Sequence, residues 1–135
     1  MTRQLVILSV ICAMLAGCVT QPPQTKDHAD IAGLLAQWKE AFVARDINRL
    51  MSLYSENYAA NGRNKAAETE ALKAEFKGGI EPDALIIVEY ATITVDGAKA
   101  DVAPISISGK TGSASMRLTL AKEDGRWLVV KMADK

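Results

Sequence analysis

The amino-acid sequence predicts an α+β fold in which three helices precede about four antiparallel strands. The first half of the chain after residue 28 carries apolar residues at helical spacing, and after Asp83 the period becomes that of strands. Short turn sequences such as Asp96-Gly97 divide the strand half and favour hairpins over the long crossovers of a parallel sheet. Helices and strands segregated in this way are typical of helices packed on one antiparallel sheet.

Three segments have helical periodicity. The first covers residues 30–44, with Asp30 as its expected N-cap. The second begins after Asp46, and the third covers residues 64–77 and ends at Gly78-Gly79. The predicted apolar faces of the first two helices are Ile31, Leu34, Leu35, Trp38 and Phe42, then Ile47, Leu50, Met51 and Tyr54. The charged residues of the third helix, predicted to form a solvated face, are Lys65, Glu68, Glu70, Lys73, Glu75 and Lys77.

The strand half contains alternating apolar residues in four segments. The second segment changes parity on either side of Pro104, so we expect a bulge or a sheet edge at Ala103-Pro104. In the first segment, residues 84–95, the predicted inward residues are Leu85, Ile87, Ala91, Ile93 and Val95. The last two strands flank Asp124-Gly125, and their predicted inward residues are Ala114, Met116, Leu118 and Leu120, then Leu128, Val130 and Met132.

The first 17 residues are typical of a bacterial lipoprotein signal peptide. Arg3 precedes an apolar run that ends at Leu15 and is too short to span a bilayer stably. Leu15-Ala16-Gly17-Cys18 resembles a lipobox, in which the cysteine is lipid-modified and becomes the first mature residue. The alternative is an ordinary signal peptide followed by an accidental cysteine.

We therefore predict a signal peptide at residues 1–17, a tether at 18–27 and one folded domain at 28–135. Acyl chains on Cys18 would hold the protein at a membrane surface. Val19 stands where many inner-membrane lipoproteins of Gram-negative bacteria have Asp, so the resemblance implies the outer membrane, on its periplasmic side.

The composition gives no sign of a nucleic-acid partner. Lysines and arginines number 16, as do aspartates and glutamates, and 49% of the residues are apolar. The sequence has no phosphate-binding glycine loop, no Cys/His metal cluster and no nucleophile elbow. We expect neither a metal nor a cofactor.

Several segments resemble the nuclear transport factor 2-like superfamily, also called SnoaL-like. They are Trp38-Lys39-Glu40-Ala41-Phe42, Arg45-Asp46-Ile47, Leu53-Tyr54-Ser55 and the closing Asp124-Gly125-Arg126-Trp127-Leu128-Val129. The resemblance covers about residues 28–133 and implies a cone-shaped, cystatin-like fold with a curved sheet wrapped on its helices, often with a pocket at the open end. The superfamily includes ketosteroid isomerases, small dehydratases, epoxide hydrolases and many non-catalytic binding domains, so its fold does not give a function.

This chain departs from the catalytic members. In the isomerases a general-base Asp lies shortly after the segment matching Tyr54-Ser55, but here no carboxylate lies near Asn61. His28, the only histidine, lies at the tether junction and not in a dehydratase His-Asp arrangement. The favoured prediction is a membrane-anchored periplasmic lipoprotein whose domain binds a small molecule or a protein without catalysis.

Glu89 is the main candidate for chemistry. Its parity is that of the inward residues of its strand, so we expect it to face the cone interior, where burial favours the neutral acid. The alternative function is a small cofactor-independent isomerase or hydrolase that uses Glu89 with Tyr54 or Tyr58. Otherwise the strand end twists outward, or Arg117 pairs with Glu89 from a neighbouring strand.

Two further sets of apolar residues have alternative roles. Four aromatic residues either line a pocket for a small apolar ligand or form core, and they are Trp38, Phe42, Tyr54 and Tyr58. A second apolar sheet face would mark a homodimer or another protein interface, unless a helix or the tether covers it. That face is predicted from Ile86, Val88, Tyr90, Trp127 and Val129.

Overall fold

The computed structural model describes residues 25–134, which form three helices and two antiparallel sheets. The helices are α1 (Lys26–Val43), α2 (Ile47–Met51) and α3 (Lys65–Gly78). The strands are β1 (Ala59–Ala60), β2 (Arg63–Asn64), β3 (Leu85–Ile87), β4 (Thr92–Asp96), β5 (Lys99–Gly109), β6 (Gly112–Glu123) and β7 (Arg126–Asp134). The predicted α+β class is confirmed. The predicted signal peptide, Cys18 and residues 19–24 lie outside the described residues.

Side-chain caps determine where the helices begin. Asp46 caps α2 and Asn64 caps α3, each accepting a hydrogen bond from an amide of the first turn. The expected cap of α1 is wrong, because the N-cap is Thr25 and Asp30 lies inside the helix, in an ion pair with Lys26. Within residues 25–134, no helix is long and apolar enough to cross a membrane.

The start of α1 is fixed to the last hairpin of the sheet. One carboxylate oxygen of Asp27, Oδ1, accepts a hydrogen bond from Trp127 Nε1 at 3.1 Å and contacts Lys122 Nζ at 2.9 Å. These two partners hold the pKa of Asp27 below its usual value. Lys26 and Asp27, which the sequence analysis assigned to the tether, thus lie in the first turn of α1.

The larger sheet is arranged around β5. On one side β5 pairs with both β3 and β4, and on the other side the order continues through β6 to β7, with all pairs antiparallel. The remaining edge of β7 is covered by residues 53–55, since Ser55 N donates to Val129 O and Val129 N donates to Leu53 O, each at 2.9 Å. The small sheet is the hairpin of β1 and β2.

The predicted first strand is divided into two, which changes its inward face. β3 and β4 are separated by residues 88–91. In β3 the prediction is wrong, because Ile86 is buried and Leu85 is 59% exposed. In β4 it is correct, because Ile93 and Val95 pack against the core. The four residues between β3 and β4 change the alternation, so that even-numbered residues face the core in β3 and odd-numbered residues face it in β4.

Two bulges set the inward faces of the longer strands. The register of β5 and β6 shifts between Val102 and Ile105, both fully buried, which confirms the irregularity predicted at Ala103-Pro104. A second shift inserts Val130 of β7 between the partners of Leu120 and Thr119. This bulge was not predicted.

The bulge at Val130 makes part of the predicted β7 face wrong. Before it, Trp127 and Val129 are buried in place of Leu128 and Val130. After it, Met132 packs against the core as predicted. The core lies between the helices and this inner face, and the predicted apolar stripe of α1 is buried throughout.

Candidate functional site

The four candidate aromatic residues lie in the core. All are at most 4% exposed. The rings of Trp38 and Phe42 are 5.0 Å apart, those of Tyr54 and Tyr58 are 5.2 Å apart, and Trp38 Nε1 donates to Tyr54 Oη at 3.2 Å. Burial raises the pKa of both tyrosines. Of the two roles that the sequence left open, the structure places these residues in the core, and Phe42 also borders the cavity described below.

A buried carboxylate lies beside Tyr58. Glu68 of α3 is 1% exposed, and its Oε2 lies 2.9 Å from Arg63 Nε without hydrogen-bond geometry. Burial, and then the charge of Glu68, raise the pKa of Tyr58 to about 12, so its hydroxyl is protonated at neutral pH. The predicted solvated position of Glu68 is wrong. Its spacing from Leu72 and Phe76, both buried, is the sequence signal that it faces inward.

A cavity of about 360 Å³ opens between α3 and the ends of β5, β6 and β7. We call it the α3 cavity. Its apolar wall is formed by Phe42, Leu72, Ile80, Ile107, Met116 and Met132. Three carboxylates border it, and they belong to Glu75, Glu81 and Asp134. An apolar concavity with a few polar groups at its border is the usual form of a small-molecule site.

One of these carboxylates has a structural role. The oxygens of Glu81 accept hydrogen bonds from the amides of Lys110 and Thr111, at 2.6 Å and 3.0 Å, and so hold the turn between β5 and β6. Gly109 allows this approach, because a Cβ atom there would lie 2.7 Å from Glu81 Oε2. Glu75 and Asp134 are therefore the carboxylates that we consider for ligand binding.

The charge of Glu75 is disfavoured where it lies. Glu75 is exposed to solvent on one side, but its partial burial and then the charge of Glu68 raise its pKa, Asp134 adds to this, and Arg63 opposes it. A cation in the α3 cavity would relieve this repulsion. The sequence predicts Glu75 only as part of the solvated face of the third helix, and nothing in it singles out Asp134. Within residues 25–134, no group of three or more His, Cys, Asp and Glu side chains is placed to hold a metal ion.

A second concavity, more open and about 880 Å³, runs between α1 and the edge formed by β3 and β4. We call it the α1 groove. Its walls are mostly small or apolar, and include Ala32, Leu35, Ala36, Val43, Val88, Ala91 and Ile93. Its charged residues form two ion pairs, Lys39 with Glu89 and Arg49 with Glu40. It therefore offers no uncompensated charge to a ligand.

Glu89 lies on the rim of the α1 groove, which corrects the prediction that it faces the cone interior. Its side chain is 58% exposed, because β3 ends at Ile87 and Glu89 belongs to the turn that follows. The Lys39 ammonium, together with backbone amides, holds the pKa of Glu89 below its usual value. The expected desolvation is therefore wrong, and the partner of Glu89 is Lys39 rather than Arg117.

The apolar sheet face expected as an interface is not formed. Three of its five residues are buried on the inner face, and they are Ile86, Trp127 and Val129. Val88 lines the α1 groove, while Tyr90 is 83% exposed. Coverage by a helix, which the sequence left open, applies to Trp127, since its indole bonds to α1. A homodimer through the sheet stays a prediction.

Known structures match this fold. Neither a protein family nor a curated protein matches the sequence. A protein of unknown function with a cystatin-like fold, from Nostoc punctiforme PCC 73102, superposes with a TM-score of 0.67 and 14% identity over 80% of this chain and 89% of that one. A nuclear transport factor 2 (NTF2)-like protein of unknown function from Pseudomonas putida KT2440 superposes with a TM-score of 0.64 and 18% identity over 79% of this chain and 84% of that one. A de novo designed protein with a curved β-sheet superposes with a TM-score of 0.59 and 19% identity over 78% of this chain and 97% of that one.

The domain thus has the nuclear transport factor 2-like, cystatin-like fold, and this prediction is confirmed. Identities between 14% and 19% carry no information about activity. Any function of this domain therefore depends on its own site residues rather than on the fold.

Proposed function

We propose that this protein is an outer-membrane lipoprotein whose periplasmic domain binds a small amphipathic cation in the α3 cavity and does not transform it. The observation that carries this proposal is the position of Glu75 and Asp134 beside a cavity whose walls are otherwise mostly apolar. An alkyl or aryl group would contact Leu72 and Met132. An ammonium group would lie at the carboxylates.

The charges around the α3 cavity favour a cation over a neutral or anionic ligand. Partial burial is the main cause of the raised pKa of Glu75, and repulsion from Glu68 is the second, so an anion would add to an existing repulsion. A monocation would favour the ionised form of Glu75, and each pKa unit of differential interaction corresponds to about 1.4 kcal/mol. The volume of about 360 Å³ is at the small end of the usual ligand pockets of roughly 300–1,000 Å³.

Hexylammonium is a suitable probe, with hexanoate and hexanol as controls of equal length. Calorimetric titration of the Cys18→Ala chain at pH 7 should show that hexylammonium binds and hexanoate does not. Glu75→Gln should weaken hexylammonium binding about tenfold, the equivalent of one charge-assisted contact of roughly 1.4 kcal/mol. Glu89→Gln is the matched control and should leave binding unchanged, because Glu89 borders the other concavity. Hexanoate binding as tightly as hexylammonium would refute the proposal.

Acidification should weaken this binding. The pKa of Glu75 is raised, so Glu75 takes up a proton at a higher pH than an ordinary glutamate. Affinity for hexylammonium should fall as pH decreases through that raised pKa, and the Glu75→Gln chain should show a smaller dependence. An affinity that does not change with pH would contradict the role of Glu75.

The membrane anchor has an independent test. The seven residues 19–25 separate Cys18 from α1 and span at most about 25 Å when extended. The domain would therefore lie close to the membrane surface. Labelled palmitate should be incorporated by the full-length chain in growing Gram-negative bacteria and not by Cys18→Ala. Equal labelling of both chains, or of neither, would remove the anchor while leaving cation binding as a separate question.

A further inference from the structure

The two edges of the large sheet differ. The edge of β7 is covered by residues 53–55. In the part of the chain that the structure describes, β4 pairs with β5 and has no strand on its other side. Natural proteins usually protect such an edge with lysine, proline or a bulge, because unpaired backbone groups there can bind another strand. β4 reads Thr-Ile-Thr-Val-Asp and has neither lysine nor proline.

The hairpin register shows which backbone groups of β4 point away from β5. The hairpin closes at Asp96 and Lys99 around a two-residue turn, so these two residues exchange hydrogen bonds. Bonded positions then alternate along an antiparallel ladder. The amide and carbonyl groups of Thr92, Thr94 and Asp96 therefore point to β5. Those of Ile93 and Val95 point to the open edge.

We propose that the chain forms a homodimer by antiparallel pairing of β4 with β4 of a second copy, about a two-fold axis at Thr94. In this register Ile93 lies opposite the partner's Val95. Both residues present their backbone groups to the open edge, so the two symmetry-related pairs make four hydrogen bonds. Pairing about Thr94 thus bonds the free backbone groups of Ile93 and Val95 in each copy to those of Val95 and Ile93 in the other copy.

The side chains suit the same register. On the outer face, Thr94 lies opposite its own copy and Thr92 lies opposite the partner's Asp96, whose carboxylate can accept from the hydroxyl. No like charges are opposed, and threonine pairs stabilise antiparallel strands. On the inner face, Ile93 and Val95 continue the apolar surface from one copy to the other.

One of the exposed apolar residues, Tyr90, lies just before this edge strand. The large hydrophobic residues most exposed in the described part of the chain are Val43, Leu85 and Tyr90. Val43 lines the α1 groove, Leu85 begins β3, and Tyr90 lies two residues before β4. In the proposed register Tyr90 lies opposite the partner's Ala98, in the turn between β4 and β5. Dimerisation would therefore cover part of the exposed surface of Tyr90.

Two substitutions of equal charge test both the dimer and its register. Thr94→Lys places two lysines opposite each other across the two-fold axis, whereas Thr92→Lys places a lysine opposite the partner's Asp96. Both threonines are exposed on the same face of β4, so neither substitution disturbs the core. Sedimentation velocity of the Cys18→Ala chain at increasing concentration should show a monomer–dimer equilibrium. Thr94→Lys should raise the dissociation constant at least tenfold, and Thr92→Lys should leave it unchanged or lower it.

Hydrogen exchange gives a second, residue-level result. The amides of Ile93 and Val95 should be protected at concentrations where the chain is dimeric and exchange faster on dilution, while the amide of Thr94 is protected at both. A chain that remains monomeric at all concentrations would overturn the proposal, as would a dimer that both lysine substitutions weaken equally. The dimer does not depend on ligand binding in the α3 cavity, so either proposal can fail alone.

Discussion

Arg63→Ala should destabilise the domain by about 2–3 kcal/mol, because it leaves the Glu68 carboxylate buried without its cation. Removing one partner of a fully buried ion pair costs roughly 3–5 kcal/mol. The Glu68 side chain is 2% exposed, but that of Arg63 is 38% exposed, so water reaches one side of the pair. We therefore place the cost at or below the lower end of that range. Urea denaturation at pH 7 and 25 °C measures it as a shift in the midpoint at unchanged slope.

A double-mutant cycle identifies the cause. In a Glu68→Gln background the carboxylate is absent, so Arg63→Ala should cost about 2 kcal/mol less than it does in the unmodified chain. Arg49→Ala is the matched control, since its pair with Glu40 is exposed on both sides and should be worth at most about 1 kcal/mol. An equal cost of Arg63→Ala in both backgrounds, or a cost no greater than that of Arg49→Ala, would show that the buried carboxylate is not the cause.

Four further substitutions test other parts of the structure. Gly109→Ala should lower the free energy of unfolding by about 1 kcal/mol in urea denaturation, because the added Cβ displaces Glu81 from the two amides that it binds. Gly33→Ala should raise the free energy of unfolding by about 0.5–1 kcal/mol, because Gly33 lies within α1 and has open space for a Cβ. Glu75→Gln should raise the melting temperature at pH 7. The pKa of Glu75 is higher in the folded than in the unfolded chain, so its ionised carboxylate destabilises the folded state, and glutamine removes that charge. That gain should vanish on acidification to well below the usual glutamate pKa. Glu89→Gln removes an exposed ion pair, so its effect on stability should be small and should shrink in high salt.

Some parts of the fold could be predicted because a single local signal determines them. The apolar stripe of α1 follows from helical spacing, and α2 begins directly after Asp46, as predicted. The irregularity at Ala103-Pro104 was predictable for a similar reason. Proline cannot continue the ladder there, and the apolar parity changes beside it.

The parts that could not be predicted lack such a signal. In β7 both parities are apolar before the bulge, so Leu128 and Val130 were as plausible inward residues as Trp127 and Val129. No proline or glycine marks the extra residue. What selects the observed face is tertiary, since Trp127 is held by α1 and Val129 by residues 53–55. Partners distant in sequence therefore decide a register that strand propensity leaves open.

The same bulge decides where the candidate site lies. Without the extra residue Val130, strict alternation would put Met132 and Asp134 on the face opposite Trp127 and Val129. With it, both residues reach the inner face and border the α3 cavity, where Asp134 joins Glu75 of α3. The acidic character of the cavity is thus a consequence of strand register. Glu75 and Asp134, which the sequence gives no reason to distinguish from surface charges, therefore lie beside an apolar cavity in the folded domain.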